Sequence, residues 1–150
     1  MATKKEIDLA DFDLPKMTMD MYLQSERLKT FKDWPFHDNC NCTAEMMAEA
    51  GFYHTPSSNE PDLVTCYVCY KEMDGWEPTD DPWVEHKNHS SKCPFVAIGK
   101  KQSDWTVEDT IKMEIKRQEY GITKVVESVI AKMENDAQAV IDELEELMES

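Results

Sequence analysis

The sequence lacks any long run of apolar residues and has few basic ones. No stretch approaches the ~20 consecutive apolar residues that cross a bilayer, and residues 1–20 are polar where a signal peptide would have an apolar core. Only 16 lysines and arginines stand against 31 acids, a formal charge of −15. We therefore expect an intracellular protein that neither enters a membrane nor binds nucleic acid directly, since phosphate backbones require a basic face. A basic partner is the natural complement.

Cysteine is scarce, and its spacing indicates a metal site. Five cysteines in a reducing compartment are not expected to form disulfides. The spacing Cys66-x2-Cys69-x16-His86-x6-Cys93 allows three thiolates and one imidazole to complete a tetrahedron that leaves no position for water. We predict one structural Zn²⁺ ion and no catalytic metal. The alternative is a thioredoxin-like CxxC with coincidental His86 and Cys93, although no βαβ pattern surrounds it.

Proline and glycine divide the chain into three regions. Residues 1–20 show no sustained periodicity and are expected to form a flexible tail. Residues 21–98 contain all five cysteines and six of the seven prolines, so their helices and strands should be short. We expect a helix capped by Thr43 that ends at Gly51, strand and turn over residues 63–70, and a helix that starts at Asp81-Pro82.

Residues 99–150 are predicted to form a linker and one long helix. From about Asp104 the chain has no proline or cysteine, and apolar residues recur three or four apart. The predicted partner-facing stripe comprises Ile111, Ile115, Ile122, Val125, Val129, Met133, Val140 and Leu144. A helix of roughly 40 residues is ~60 Å long, whereas a domain of about 80 residues measures only about 25–30 Å. Most of the stripe should therefore meet helices of other chains.

Segments around the zinc ligands resemble the baculovirus inhibitor-of-apoptosis repeat. They are Arg27-Leu28-x-Thr30-Phe31-x-x-Trp34-Pro35, Ala48-Glu49-Ala50-Gly51-Phe52-Tyr53, Asp62-x-Val64-x-Cys66 and Gly75-Trp76-Glu77-Pro78-x-Asp80-Asp81-Pro82. The resemblance covers residues 23–98. It implies an α+β fold, in which a short three-stranded sheet and short helices surround zinc, followed here by one long C-terminal α-helix.

One repeat with a long helix and no RING domain is similar to the family members that act as chromosomal passenger proteins. The resemblance implies a non-enzymatic mitotic adaptor. Its helix would bundle with borealin-like and inner-centromere-protein-like helices, and the complex would localise Aurora B kinase in chromosome segregation and cytokinesis. The expected locations are the nucleus, centromere, spindle midzone, midbody and cytoplasm. The alternative is an anti-apoptotic binder of caspases or of their alanine-ended antagonists.

The resemblance also implies a groove beside the zinc that captures a free N-terminal alanine. Trp76 would wall a pocket for the alanine methyl group, and Asp74 and Asp80 would pair with the α-ammonium. Asp74 replaces a longer glutamate of the family, which predicts a looser clamp. Two alternatives remain open: Trp76 could belong to the core, and Asp80 could be only a helix cap.

Three further positions match residues that read a phosphorylated histone three tail. Lys71 and His89 would meet the phosphate of a phosphothreonine, and Glu60 would lie near the basic residues of the peptide. Lys71 could instead be an ordinary surface lysine, and His89 could lie on a helix face without a role. Thr79 stands where the family usually has a run of acids, which predicts a weaker attraction for a basic peptide.

The segment that joins the repeat to the long helix holds four candidate homodimer contacts: Phe95, Ile98, Trp105 and Val107. Family members can form homodimers through this segment. The same apolar residues could instead pack the helix onto the repeat. The sequence leaves both possibilities open.

Overall fold

The computed structural model describes residues 19–149 of the 150-residue chain. The predicted tail, residues 1–20, therefore lies outside the described residues except at its last two positions. The described chain forms two units, residues 19–120 and residues 121–149. No helix in this part of the chain is both long enough and apolar enough to traverse a bilayer.

Short helices and strands make up most of the first unit. The helices are α1 (Gln24–Lys29), α2 (Ala44–Glu49), α3 (Pro82–His89), α4 (Pro94–Ile98) and α5 (Val107–Glu149), the last of which continues through the second unit. The strands are β1 (Phe52–His54), β2 (Val64–Cys66) and β3 (Glu72–Met73). Two 3₁₀ turns, Met19–Tyr22 and Gln102–Asp104, come shortly before α1 and α5.

The three strands form one antiparallel sheet in the order β1-β2-β3. Phe52 of β1 pairs with Cys66 of β2, and Thr65 of β2 pairs with Glu72 of β3. All three residues of β2 are buried, as expected for a central strand covered on both faces. The predicted α+β architecture is confirmed, and the central strand ends on a zinc-ligand candidate.

The helix starts follow the local signals in the sequence. The Thr43 hydroxyl accepts the backbone N–H of Met46 at 3.5 Å, and the Asp81 carboxylate accepts two N–H groups of the first turn of α3 at 2.9 and 3.2 Å. Pro82 occupies the first turn of α3, where its missing N–H costs nothing. Gly51 follows α2 with φ +92°. The predicted starts of α2 and α3 are confirmed, and α2 ends at Glu49, two residues before the predicted Gly51.

An aromatic cluster forms the core of the first unit. Trp34, Phe52 and Phe95 are almost completely buried, and Met113 from the start of α5 joins them. The Phe95 ring stacks on Trp83 with centroids 5.3 Å apart. Because α5 contributes a fully buried side chain, its first turns belong to the same packed unit as the repeat.

A buried arginine ties several segments of this unit together. Arg27 is 0% exposed, and its guanidinium lies 4.5 Å from the centre of the Tyr67 ring. Burial lowers the pKa of Arg27, and the nearby Tyr67 opposes that effect. Its nitrogens donate to three main-chain carbonyls and one side-chain amide, those of Ala48, Met21, Tyr22 and Gln102, at 2.8–3.0 Å. One side chain thereby joins α1, α2 and both 3₁₀ turns.

The long helix has 43 residues, close to the length that the sequence predicts. Every side chain in residues 133–148 is exposed. Of the eight predicted stripe residues, six are exposed and two, Val125 and Val129, are half-buried. In the described residues most of the stripe thus remains accessible to another chain.

Candidate metal centre and peptide groove

The four predicted zinc ligands are brought together by three different local structures. Cys66 ends β2, and Cys69 follows in a tight turn that Tyr70 closes with φ +58°. His86 lies on α3, and Cys93 precedes the first turn of α4. All four side chains are buried. Sequence spacing therefore identified residues that the fold does place together.

The geometry of this cluster fits a tetrahedral metal site. The four ligand atoms lie within 4.8 Å of one another. The Sγ atoms of Cys66 and Cys93 are 3.9 Å apart, and the Sγ atom of Cys69 lies 3.8 Å from Nε2 of His86. A tetrahedron with Zn–S bonds of about 2.3 Å requires sulfur atoms about 3.8 Å apart. The cluster is therefore a Cys₃His group with the ligand set and spacing of a structural zinc site.

Groups around the cluster orient its ligands. Nδ1 of His86 lies 2.9 Å from the carbonyl oxygen of Ala50, so an Nδ1–H donor there leaves Nε2 as the ligand atom. The Ser90 hydroxyl donates to Sγ of Cys69 at 3.3 Å. The backbone N–H of Val68 donates to Sγ of Cys66 at 3.4 Å. These donors favour the thiolate form that a metal ion requires.

The thiols affect one another strongly because they share a buried space. Burial raises the pKa of Cys66, and hydrogen bonds with Cys69 and Cys93 raise it further. Hydrogen bonds from Cys66 and Cys93 lower the pKa of Cys69. Three thiolates in one buried space would repel one another. A divalent cation would supply the compensating charge that three buried thiolates need.

The predicted peptide groove follows directly after the zinc turn. Its backbone is held at Trp76, whose N–H donates to Oδ2 of Asp62 at 2.8 Å. The Trp76 side chain is only 7% exposed, and its ring lies edge-on to Phe52 at 5.7 Å. Most of the indole is thus part of the core, which is one of the two roles that the sequence left open for Trp76. Only this small exposed fraction of Trp76 is available to a peptide.

The two predicted ammonium-binding acids differ in their surroundings. Asp74 is exposed. Asp80 is half-buried, and its Oδ2 atom accepts the N–H of Glu77 at 2.8 Å, so one of its oxygens already stabilises the loop. Asp81, rather than Asp80, caps α3. The predicted clamp would therefore combine an exposed carboxylate with one that is fixed by its own loop.

Hydrogen bonds that the sequence did not indicate fix the carbonyls of the loop at residues 77–79. The backbone N–H of Asn41 donates to Pro78 at 2.7 Å, and its side-chain amide donates to Thr79 at 2.9 Å. The Cys42 thiol lies 3.2 Å from the Glu77 carbonyl. Burial raises the pKa of Cys42 to about 11, so the thiol remains protonated and donates. The partners in each of these contacts are more than 30 residues apart in the sequence, and no local pattern predicts them.

The predicted phosphate-reading residues are exposed side chains with different partners. Lys71 is exposed, and its carbonyl accepts the N–H of Cys66 at 2.9 Å, which fixes its backbone beside the zinc turn. Nε2 of His89 lies 3.3 Å from a carboxylate oxygen of Glu85 one helical turn away. Glu60 accepts the Ser57 hydroxyl at 3.0 Å. Without any ligand, His89 therefore already contacts the Glu85 carboxylate.

The four candidate dimer contacts are not equally accessible. Phe95 is fully buried and tilts against Trp105, with ring centroids 5.5 Å apart. Ile98 is half-buried, whereas Val107 is 77% exposed. Phe95 therefore packs within its own chain and offers no surface to a second copy. Ile98 also lines an apolar groove of about 740 Å³ between α4 and the start of α5.

A three-stranded sheet with short helices around a Cys₃His cluster is the architecture of an inhibitor-of-apoptosis repeat, and the family described as "BIR: Inhibitor of Apoptosis domain" matches residues 27–97. Similar relatives extend beyond the repeat. "Baculoviral IAP repeat-containing protein 5" of Cavia porcellus is 44% identical over 85% of this chain and 89% of its own length. The protein of that name from Rattus norvegicus is 42% identical with the same coverage. The chain belongs to this single-repeat family, the survivins.

The similarity reaches other vertebrates and solved repeats. "Baculoviral IAP repeat-containing protein 5.2" of Xenopus tropicalis is 43% identical over 85% of this chain and 81% of its own length. The "Crystal structure of DIAP1 BIR1 bound to a Grim peptide" is 37% identical, covers 51% of this chain and 72% of that chain, and has a TM-score of 0.44. The family and the repeat that the sequence predicted are both confirmed.

Proposed function

We propose that this protein is a non-enzymatic mitotic adaptor, which reads a phosphorylated histone tail with its repeat and anchors a kinase complex with α5. One observation carries this proposal: the apolar stripe of α5 stays exposed, with all side chains of residues 133–148 accessible. A stable monomer gains nothing from such a stripe. An inhibitor that needed only the repeat would not require a 43-residue helix.

The metal has a structural role in this proposal. Cys66, Cys69, His86 and Cys93 would hold one Zn²⁺ ion and saturate its coordination, so no position remains for a reacting water. Binding would contribute an apparent ~10–16 kcal/mol to folding. The chain's own residues would then supply recognition rather than chemistry, because the three cysteines that lie beside a histidine in this cluster would be engaged as ligands.

The groove is suited to a chain terminus that begins with a small residue. Asp74 is exposed two residues before Trp76, which is buried except for 7% of its surface, so a free carboxylate lies close in sequence to an apolar side chain. A free α-ammonium can pair with the carboxylate while a methyl group contacts the indole edge. Only the first residue of a peptide carries both groups, which gives specificity for an unblocked N-terminus.

Phosphate recognition would come from Lys71 and His89. Lys71 is exposed and can meet a phosphate as a point charge. To donate from Nε2 to a phosphate oxygen, His89 would have to leave the Glu85 carboxylate, now 3.3 Å from that atom. Glu85 therefore competes with the ligand, and its removal should favour binding.

The exposed stripe would bundle with borealin-like and inner-centromere-protein-like helices and thereby bring Aurora B kinase to the complex. Three-helix bundling suits a stripe wider than a two-stranded seam. Such an assembly would act at the centromere, the spindle midzone and the midbody. A homodimer through the exposed part of the linker would compete with it.

The test is binding of the full chain to an Ala-Arg-Thr-Lys peptide with and without phosphate on the threonine. We expect the phosphate to tighten binding and N-acetylation of the alanine to abolish it. Asp74→Asn should weaken binding of the free peptide, because the α-ammonium loses a charged partner, and the acetylated peptide should bind neither protein.

Variants of the phosphate pair sharpen the test. Lys71→Ala and His89→Ala should each erase most of the phosphate effect, whereas Glu85→Gln should enlarge it. Lys87→Ala is the matched control for Lys71→Ala, because it also removes one lysine charge, from α3 two positions before His89, where side chains do not share a face. Equal binding of both peptides, together with tight binding of alanine-ended apoptotic peptides, would favour the anti-apoptotic alternative.

A further inference from the structure

The distal part of α5 has a regular heptad pattern inside its broader apolar stripe. Apolar residues alternate at spacings of four and three from Val126 to Leu144, and the set is Val126, Ile130, Met133, Ala137, Val140 and Leu144. This alternation is that of the a and d positions of a coiled coil, with Ile130, Ala137 and Leu144 at a. We call these six residues the distal seam.

The distal seam is accessible along its length. Met133 is 65% exposed, and Val126, Ile130, Val140 and Leu144 are between 49% and 56% exposed. Residues 121–149 are helical throughout, so the seam is already displayed in the geometry that a partner helix would meet. A partner therefore does not have to induce the helix before it docks.

Charges beside the distal seam have a single sign. In the heptad register the charged residues at the flanking e and g positions are Glu127, Glu134, Asp136 and Glu143; the other two positions hold the apolar Val129 and Ile141, and none holds a base. The bases of this stretch, Lys124 and Lys132, fall at b and c, and Lys124 pairs with Glu127 at 3.2 Å, which leaves Glu134, Asp136 and Glu143 as the acids available to a partner. Because e and g residues set partner choice in coiled coils, the flanks select for the opposite charge.

A second copy of the chain is disfavoured at this surface. Residues 121–149 contain eight acids and two bases, so two copies would bring like charges together along the whole seam. The last turns add Glu145 and Glu146 at the negative end of the helix dipole. A cationic partner helix would reduce both the repulsion between acids and the unfavourable interaction with the helix dipole. Pairing with a second copy would increase both.

We infer that the distal seam docks an amphipathic helix of another protein that carries lysine or arginine at its own e and g positions. The inference rests on the proposed function and gives the chemistry of the partner that the adaptor's helix accepts. The partner's apolar residues fill the seam, and its basic residues pair with Glu134, Asp136 and Glu143. Attraction of this kind weakens as salt increases.

The test uses the full chain and two synthetic 28-residue helices with the same leucine and isoleucine seam. One helix has lysine at every e and g position, and the other has glutamate there. We expect the lysine helix to bind at least about tenfold more tightly at low salt, from the sum of several flanking pairs. The preference should shrink in high salt. Fluorescence anisotropy measures both affinities.

Charge-matched variants locate the effect. Replacing Glu134, Asp136 and Glu143 together by lysine should reverse the preference, so that the glutamate helix binds more tightly. Replacing Asp142, Glu145 and Glu146, at the f, b and c positions, by lysine changes the net charge by the same amount and should preserve the original order. Circular dichroism confirms that both variants remain helical.

Three results would overturn the inference. They are equal binding of the two helices, the same effect from both triple variants, or self-association of the chain that Leu144→Asp abolishes. Binding of the histone-tail peptide to the same variants separates this inference from the proposed function. If the histone-tail peptide does not bind while the lysine helix is still preferred, the histone-reading function is refuted and the docking inference stands. If the peptide binds but the lysine helix is not preferred, only the docking inference is refuted.

Discussion

A Cβ atom on Gly51 would lie 3.1 Å from the ring of Phe95. Gly51 has φ +92° and connects α2 to β1, while Phe95 is the buried aromatic residue of α4. The ring is fixed on its other side by Trp83. This close approach lets α4, and with it Cys93, pack against the start of the sheet.

Gly51→Ala should therefore destabilise the protein more than alanine at a glycine that has a positive φ but no close neighbour. Gly75 has φ +74° and nothing within 4 Å of its virtual Cβ, so Gly75→Ala measures the backbone cost alone, about 1–2 kcal/mol. Gly51→Ala should cost about 1–3 kcal/mol more, because it also overpacks against Phe95. Urea unfolding of both zinc-loaded variants measures the difference. Equal losses would contradict the steric account.

Zinc removal should unfold the first unit. A structural zinc site supplies ~10–16 kcal/mol of apparent folding energy, more than a domain of this size has to spare. Chelation at pH 7 should abolish near-ultraviolet circular dichroism, and Cys93→Ser should prevent stoichiometric zinc uptake. Cys40→Ser is the matched control, since that half-buried thiol lies outside the cluster. A chelated protein that kept its tertiary signal would refute the structural role.

The buried Arg27 should tolerate no substitution, including lysine. Its guanidinium meets four acceptors in different directions, a geometry that a single ammonium group cannot reproduce. Arg27→Lys should lower the free energy of unfolding by about 3 kcal/mol or more, because buried carbonyls lose their donors. The exposed Lys29 in the same helix provides the comparison: Lys29→Arg should change stability by less than about 0.5 kcal/mol.

The start of α5 should depend on pH through Asp109. Its Oδ2 atom accepts from Lys100 at 2.7 Å and from the N–H of Thr106 at 2.8 Å, and these contacts lower its pKa to about 2 from the ordinary 3.8. A depressed pKa in the folded state means that the stabilisation is complete above pH 4 and disappears as the pH falls from about 4 to about 2.

Asp109→Asn should remove this contribution. At pH 6 the variant should show faster hydrogen exchange at the first amides of α5, and the difference from the parent protein should shrink with 1 M salt, because Asp109 is solvent-accessible. Asp104→Asn, an exposed acid just before the helix, serves as the control. An Asp109→Asn protein indistinguishable from the parent at pH 6 would show that the carboxylate does not stabilise the helix start.

The metal cluster and the helix boundaries were predictable because their signals are local. Cys66 and Cys69 share one turn, and Asp81 with Pro82 marks the start of α3 through the hydrogen bonds of the next two residues. The same holds for the length of α5, since periodicity over more than ten turns is difficult to misread. The helix signals depend on residues a few positions apart, and the more distant ligands His86 and Cys93 are marked by their residue types.

The details of the groove were not predictable for the opposite reason. The loop carbonyls at Pro78 and Thr79 are fixed by Asn41, and the indole of Trp76 is buried by Phe52. Neither the residue type nor the sequence spacing of Asn41 or Phe52 predicts these contacts. Phe95 illustrates the same limit: an apolar residue in a linker is compatible with a dimer interface or a core, and only the packed structure placed it in the core.

The amino-acid order by itself determined the zinc-ligand set, the short elements and the long amphipathic helix, because covalent spacing and backbone preferences act within a few residues. Tertiary structure alone decided which side chains remain accessible: Asp74 and Val107 are exposed, whereas Trp76 and Phe95 are buried. Burial is a property of contacts between distant segments, and the free energy that selects it is summed over the whole packed unit.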